Sequence, residues 1–165
     1  MKQNIFLVMT LFVALMLPNG AHAYTSSQQT ALRVNDTSAL FVIDFSFGHG
    51  EHDTYIPIFG TTNQENDTKA HTLGYRVIDD EGNEAFGTAA LVLSSAKVVD
   101  NTFYRVSQGV KQKFTLLVVA TVPSGNSIDN YRAEVTDLPF YWDDEMQYLH
   151  LNPSELQYYT TPAVE

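Results

Sequence analysis

Two histidines and an aspartate fall close together in the chain, and their types and spacing could bind a metal. His49, His52 and Asp53 lie in a stretch that also holds Gly48 and Gly50. Imidazole and carboxylate groups are ligands of zinc and copper, and glycines let a loop wrap around an ion. The pattern predicts a transition-metal site formed by His49, His52 and Asp53, with a solvated polar loop as the alternative.

Three acidic clusters, at residues 79–84, 63–67 and 143–145, could hold calcium. Calcium prefers carboxylate and carbonyl oxygens, which acidic loops supply. None of the clusters has the Asp-x-Asp-x-Asp-Gly spacing of a helix–loop–helix calcium site, so an acidic surface turn is the alternative for each. Apart from a metal ion, with calcium as the candidate for these loops, the sequence predicts no cofactor.

Aromatic residues gather in the last part of the chain, where Trp142 and Tyr148 are the candidates for contact with a partner. Exposed rings stack on sugars or anchor a protein partner. We therefore expect Trp142 and Tyr148 to bind a protein or a glycan. Packing of these rings against the core or a sheet edge is the alternative.

The sequence contains no recognisable catalytic motif. It has neither a Gly-x-Ser-x-Gly elbow nor a glycine loop with a lysine that would hold phosphate. Its formal net charge of −10 is opposite to that of a nucleic-acid-binding surface. The chain is therefore expected not to be an enzyme and not to bind nucleic acid.

Apolar residues alternate along most of the chain with the period of a β-strand. Residues 41–47 place their largest apolar side chains on one face, and residues 131–137 repeat the pattern. Residues 114–122 and 89–93 are apolar on both faces, as is typical of central strands in a sandwich. The glycine-containing loop at 79–84 predicts a β-hairpin between its two flanking strands.

These elements predict about seven or eight strands with no helix between them. The fold class is expected to be all-β, an antiparallel immunoglobulin-like β-sandwich, with a closed barrel as the alternative. Residues 104–106, Gly109 and residues 114–118 carry a more specific likeness. They resemble a strand–turn–strand of immunoglobulin-like domains in bacterial extracellular proteins. The resemblance implies the fold class and transfers no functional residue. The absence of cysteine from an exported chain separately favours a bacterial source.

The first 23 residues have the pattern of a cleavable secretory signal peptide. Lys2 precedes an apolar run at 5–17, and Ala21-His22-Ala23 has the small-x-small form of a cleavage site. The run is shorter than the ~20 residues of a membrane-spanning helix, which is the alternative. We expect residues 1–23 to be removed and residues 24–165 to form a single domain, secreted or periplasmic, without a transmembrane segment.

Together these features predict an exported, non-catalytic β-sandwich module with a surface, adhesion or structural role. It would act by binding a protein or glycan partner. The alternative is an exported metal-binding protein that uses the acidic loops or the His49–His52 loop. The oligomeric state is left open.

Overall fold

The structure is a computed structural model and describes residues 22–25, 29–62, 72–142, 145–149 and 159–165. Its regular elements are twelve strands: β1 (His22–Thr25), β2 (Thr30–Asn35), β3 (Ser38–Gly48), β4 (Thr54–Pro57), β5 (Phe59–Thr61), β6 (Thr72–Ile78), β7 (Gly87–Leu93), β8 (Lys97–Val99), β9 (Phe103–Val106), β10 (Gln112–Thr121), β11 (Arg132–Trp142) and β12 (Glu145–Leu149). The all-β prediction is confirmed. The immunoglobulin-like sandwich stays a prediction.

The strands form one hydrogen-bonded sheet in the order β1-β3-β10-β7-β5-β6-β11-β4-β9-β8. In addition, β2 pairs with β3 and β12 pairs with β11. Among the described strands, only β5 and β6 pair in parallel. The predicted count of about seven or eight strands is wrong. Strands β5 and β8 have only three residues each, too few to show an alternating pattern. Strands β1 and β12 fall at the end of the predicted signal peptide and in the aromatic tail, which the predicted count leaves out.

The core lies between two halves of this sheet. The side chains of Phe41, Ile43, Phe45 and Phe47 on β3 are all buried, which confirms the alternation in that segment. Phe47 meets Phe140 of β11 with ring centroids 4.9 Å apart. Because β3 and β11 are distant in the sheet order, the sheet must fold so that its β3–β10–β7 half faces its β6–β11–β9 half.

Two contacts from Tyr104 of β9 reach across the same core. Its ring meets Phe114 of β10 at 6.0 Å, and its hydroxyl donates a 3.1 Å hydrogen bond to the carbonyl oxygen of Val92 on β7. The buried tyrosine therefore keeps its polar end satisfied while its ring packs. These contacts fix β9 opposite the strands β10 and β7.

The predicted hairpin at residues 79–84 is wrong as a strand pair. Strand β5 lies between β6 and β7, parallel to the first and antiparallel to the second. The loop itself is closed by an isolated bridge between Ile78 and Glu84 and by backbone hydrogen bonds, such as that from the N–H of Asp79 to the carbonyl oxygen of Asn83. Turn residues specify a reversal of the chain but not the next pairing, and β7 pairs along its whole length with residues 115–121 of β10.

The predicted signal peptide falls mostly on residues outside those that the structure describes. Strand β1 spans the expected cleavage point after Ala23 and pairs with residues 45–48 of β3. No helix in the described residues is long and apolar enough to cross a membrane. Cleavage and export stay predictions.

Candidate functional site

The loop that follows β3 is organised around the imidazole ring of His49. This side chain is only 5% exposed. Its Nδ1 atom accepts hydrogen bonds from the backbone N–H groups of Glu51 and His52, each at 3.2 Å. An imidazole nitrogen that accepts a hydrogen bond carries no proton, so a neutral His49 has its proton on Nε2. His49 therefore holds the loop as a neutral side chain.

The structure brings three of the predicted site residues together: His49, His52 and Trp142. The two imidazole centroids are 5.1 Å apart, and the indole of Trp142 lies 4.7 Å from His49 and 5.3 Å from His52. Trp142 also contacts Phe140, and it packs against the buried core. The three rings thus form a packed aromatic cluster at the end of β11.

Asp53 uses its carboxylate to join the loop to β9. It accepts a 2.8 Å hydrogen bond from the backbone N–H of Gln108 and forms an ion pair with Arg105. The N–H of Gln108, followed by the guanidinium of Arg105, holds the pKa of Asp53 below its ordinary value. The carboxylate is therefore engaged by β9 and the turn after it.

This arrangement bears on the predicted metal site of His49, His52 and Asp53. In the ranges that the structure describes, no three His, Cys, Asp or Glu side chains are placed to hold a metal. Nδ1 of His49 is already an acceptor for two N–H groups, and Nε2 carries the proton. Metal binding would need a different tautomer and a rearranged loop, so the metal site stays a prediction without support from the geometry.

The acidic loop at residues 79–84 is also closed by its own hydrogen bonds. The carboxylate of Asp79 accepts from the backbone N–H groups of Glu81 and Asn83 at 2.9 and 2.8 Å, and from the Asn83 amide at 2.9 Å. The pKa of Asp79 is lowered, chiefly by the Asn83 side chain. Asp80 contacts Arg132 at 2.7 Å. Both carboxylates thus have protein partners.

The same loop borders an open cleft of about 840 Å³, in which Phe86 is 86% exposed. Residues 63–67 and 143–144 lie outside the described residues, and Glu145 is placed as the first residue of β12. Calcium binding stays a prediction. Tyr148 lies on β12, where it pairs with Pro139, and its role as a partner contact stays a prediction together with that of Trp142.

Strand β10 carries large apolar side chains on both faces, but only one of the faces packs against the core. Leu116 and Val118 are fully buried, whereas Val119, on the opposite face, is 48% exposed. Sequence reasoning expected a central strand in this segment, and β10 does lie between β3 and β7. No described strand packs over its second face at Val119, as the exposure of that side chain indicates.

The strand register extends this second face across the sheet in two rows. In one row Leu117 lies between Val42 of β3 and Leu91 of β7, and Leu91 is opposite Phe59 of β5. In the other, Val119 lies between Leu40 and Ala89, and Leu40 is opposite Leu32 of β2. We call these residues, with Leu93, the outer face: Leu32, Leu40, Val42, Phe59, Ala89, Leu91, Leu93, Leu117 and Val119.

The outer face is apolar and accessible at the same time. Five of its large side chains are between 38% and 49% exposed: Leu32, Phe59, Leu91, Leu93 and Val119. Neither row contains a charged residue. The sequence indicated this face through the apolar residues on both sides of segments 114–122 and 89–93. That pattern alone does not distinguish a covered face from an open one.

In comparisons with known proteins, no protein family, no curated protein and no solved structure matches the chain. Functional inference therefore rests on the surfaces of the molecule itself.

Proposed function

We propose that this protein is an exported, non-catalytic β-sandwich module that binds a protein partner through its outer face. The observation that carries the proposal is the pair of uncharged apolar rows that run across β2, β3, β10, β7 and β5. Monomeric proteins rarely expose a contiguous apolar patch larger than a few hundred Å², and larger patches mark interaction sites.

The composition of the outer face favours a protein over a glycan. Its members are aliphatic except for Phe59. Sugar recognition needs aromatic platforms and polar groups that fix hydroxyls, whereas the buried centre of a protein interface is depleted of charge and packs apolar side chains. An aliphatic surface of this kind therefore suits the side chains of another protein.

The outer face is a stronger candidate than the aromatic tail. The ring of Trp142 is engaged by His49, His52 and Phe140, and it packs against the core. Val119 and Leu91, in contrast, are 48% and 38% exposed and are open to contact. The tail would lose internal packing if it rearranged to bind a partner, whereas the outer face can bind without a rearrangement.

Two further parts of the proposal rest on separate observations. The contacts of Phe47 with Phe140 and of Tyr104 with Phe114 join distant strands across one core, which supports a two-layer sandwich. Export rests on the pattern of residues 1–23. The absence of a catalytic role rests on the lack of a catalytic motif in the sequence.

A photoreactive phenylalanine derivative at position 119, in cells that export the protein, tests the partner. Position 110 is the matched control, since Val110 is 46% exposed but lies in the loop before β10. We expect protein adducts from position 119 and few from position 110. No adduct from position 119, or equal yields from both positions, would contradict the proposal.

A further inference from the structure

We infer that the protein occupying the outer face is a second copy of this chain, so that two sheets pack face to face in a two-fold dimer. This inference rests on the proposed function and names its partner. It depends on the area of the outer face, on its charge, and on which other segments of the chain could cover it.

The outer face leaves a large part of its apolar surface accessible to a partner. Five of its large side chains are 38–49% exposed, and an interface of standard size takes about 800 Å² from each partner. Thr115 and Thr121, which flank the rows on β10, lie on the same face as Val119 and add to it. Homodimer interfaces are more apolar than other interfaces, as this surface is.

A two-fold axis can place the outer face of one copy against that of another. Sheets pack face to face about 10 Å apart with their strands within about 30° of each other, and a two-fold axis places the same rows against each other. The net charge of −10 would drive two copies apart at a distance. The rows themselves carry no charge, and two charged residues at the border of the face, Asp44 and Lys113, are of opposite sign.

The charges at this border need not be buried unpaired. Asp44 accepts a 2.5 Å hydrogen bond from the hydroxyl of Thr115, its neighbour on β10. Lys113 is exposed at the end of β10 and keeps access to water. An apolar centre with a polar border is the usual anatomy of a protein interface.

The composition of the chain argues against another of its own segments as the occupant. The stretches outside the described residues at 26–28, 63–71, 143–144 and 150–158 contain no run of four apolar residues. Among the residues that the structure does not describe, the one long apolar run is at 5–17, in the predicted signal peptide. Once that segment is removed, a second copy of the chain supplies an apolar surface that can cover the outer face.

Sedimentation equilibrium of the secreted chain, over a wide range of concentrations, tests the inference. We expect a dimer, and we expect Val119→Lys to raise its dissociation constant at least tenfold, because a two-fold interface then holds two added like charges. Val110→Lys, with the same charge at a similarly exposed site, should leave the dimer intact. Circular dichroism and the melting temperature establish folding, and Leu91→Lys replaces Val119→Lys if the latter does not fold.

The inference that a second copy binds the outer face is overturned if the secreted chain is monomeric at every concentration. It is also overturned if the chain forms a dimer that Val119→Lys leaves unchanged. If the monomeric chain still gives adducts with another protein from position 119, the proposed function stands and only self-association is lost. If it gives neither association nor adducts, both are lost. A secreted monomer whose mass includes residues 1–23 would also overturn the inference, because that apolar segment would still be available to cover the outer face.

Discussion

The Nδ1 atom of His49 illustrates why residue type alone does not assign chemistry. In the sequence, His49 beside His52 and Asp53 resembles a metal-ligand set. In the structure, the Nδ1 atom of His49 accepts hydrogen bonds from two backbone N–H groups. The carboxylate of Asp53 accepts hydrogen bonds from Arg105 and Gln108. Sequence spacing gave the composition of this cluster, while its hydrogen bonds depend on strands that are distant in sequence.

Asp53 makes the stability of the fold sensitive to acid. Its folded-state pKa lies below the ordinary value of 3.8, so the contribution of the ionised carboxylate is complete above that pH and is lost as the pH falls through the folded pKa. We expect Asp53→Asn to lower the urea midpoint of unfolding near neutral pH. Below about pH 4 the variant should lose less additional stability than the wild type. Urea unfolding of both proteins between neutral and strongly acidic pH measures this.

Asp79, whose pKa is also lowered, is the matched comparison. Asp79→Asn should likewise reduce acid sensitivity, and the double variant should reduce it further, because the two carboxylates have separate partners. An Asp53→Asn variant with the same pH profile as the wild type would contradict the role of the contacts from Gln108 and Arg105.

At the scale of the elements, β5 is the strand that joins the two halves of the sheet. Gly60 lies at its centre, and a Cβ atom there would stand 2.8 Å from the Cβ of Ala90 and 3.0 Å from the ring of Tyr75. We expect Gly60→Ala to lower the free energy of unfolding by about 1–3 kcal/mol through overpacking. Chemical denaturation of the purified variant measures the loss.

The double variant Gly60→Ala/Ala90→Gly serves as the control, because it removes the closest of these contacts. It should recover part of the lost stability, while the contact with Tyr75 keeps the recovery incomplete. If Gly60→Ala alone is as stable as the wild type, β5 does not lie as tightly between β6 and β7 as the structure indicates.

The elements that could be predicted are those with long alternating patterns. The face formed by Phe41, Phe45 and Phe47 was readable from sequence because one buried side of a strand imposes a period of two. Strands β5 and β8 are too short for such a period. The pairing of β7 with β10 in place of β6 could not be predicted, since it depends on register between distant segments.

The outer face shows the same limit for the candidate site. Apolarity on both sides of residues 114–122 indicated a central strand, and β10 is central. The pattern did not reveal that one side remains exposed, because a face covered by another layer and a face reserved for a partner have the same composition. Only the register of five strands defines the two rows.

At the scale of the whole molecule, the protein has two apolar surfaces on one half of its sheet. The inner one packs against the β6–β11–β9 half and forms the core. The outer one contributes little to that packing, and we propose that it binds a protein. This view requires the fold to depend on one side of β10 and to be nearly independent of the other.

The most direct measurement is the free energy of unfolding of Val118→Thr beside Val119→Thr, at a concentration at which the chain is monomeric. Val118 is fully buried and Val119 is its exposed neighbour on the same strand. A hydroxyl buried without a partner costs about 1–3 kcal/mol, whereas a surface exchange stays within about 0.5 kcal/mol. We expect Val118→Thr to show the first loss and Val119→Thr the second. Equal, large losses would mean that the protein covers its own outer face and has no such surface to offer a partner.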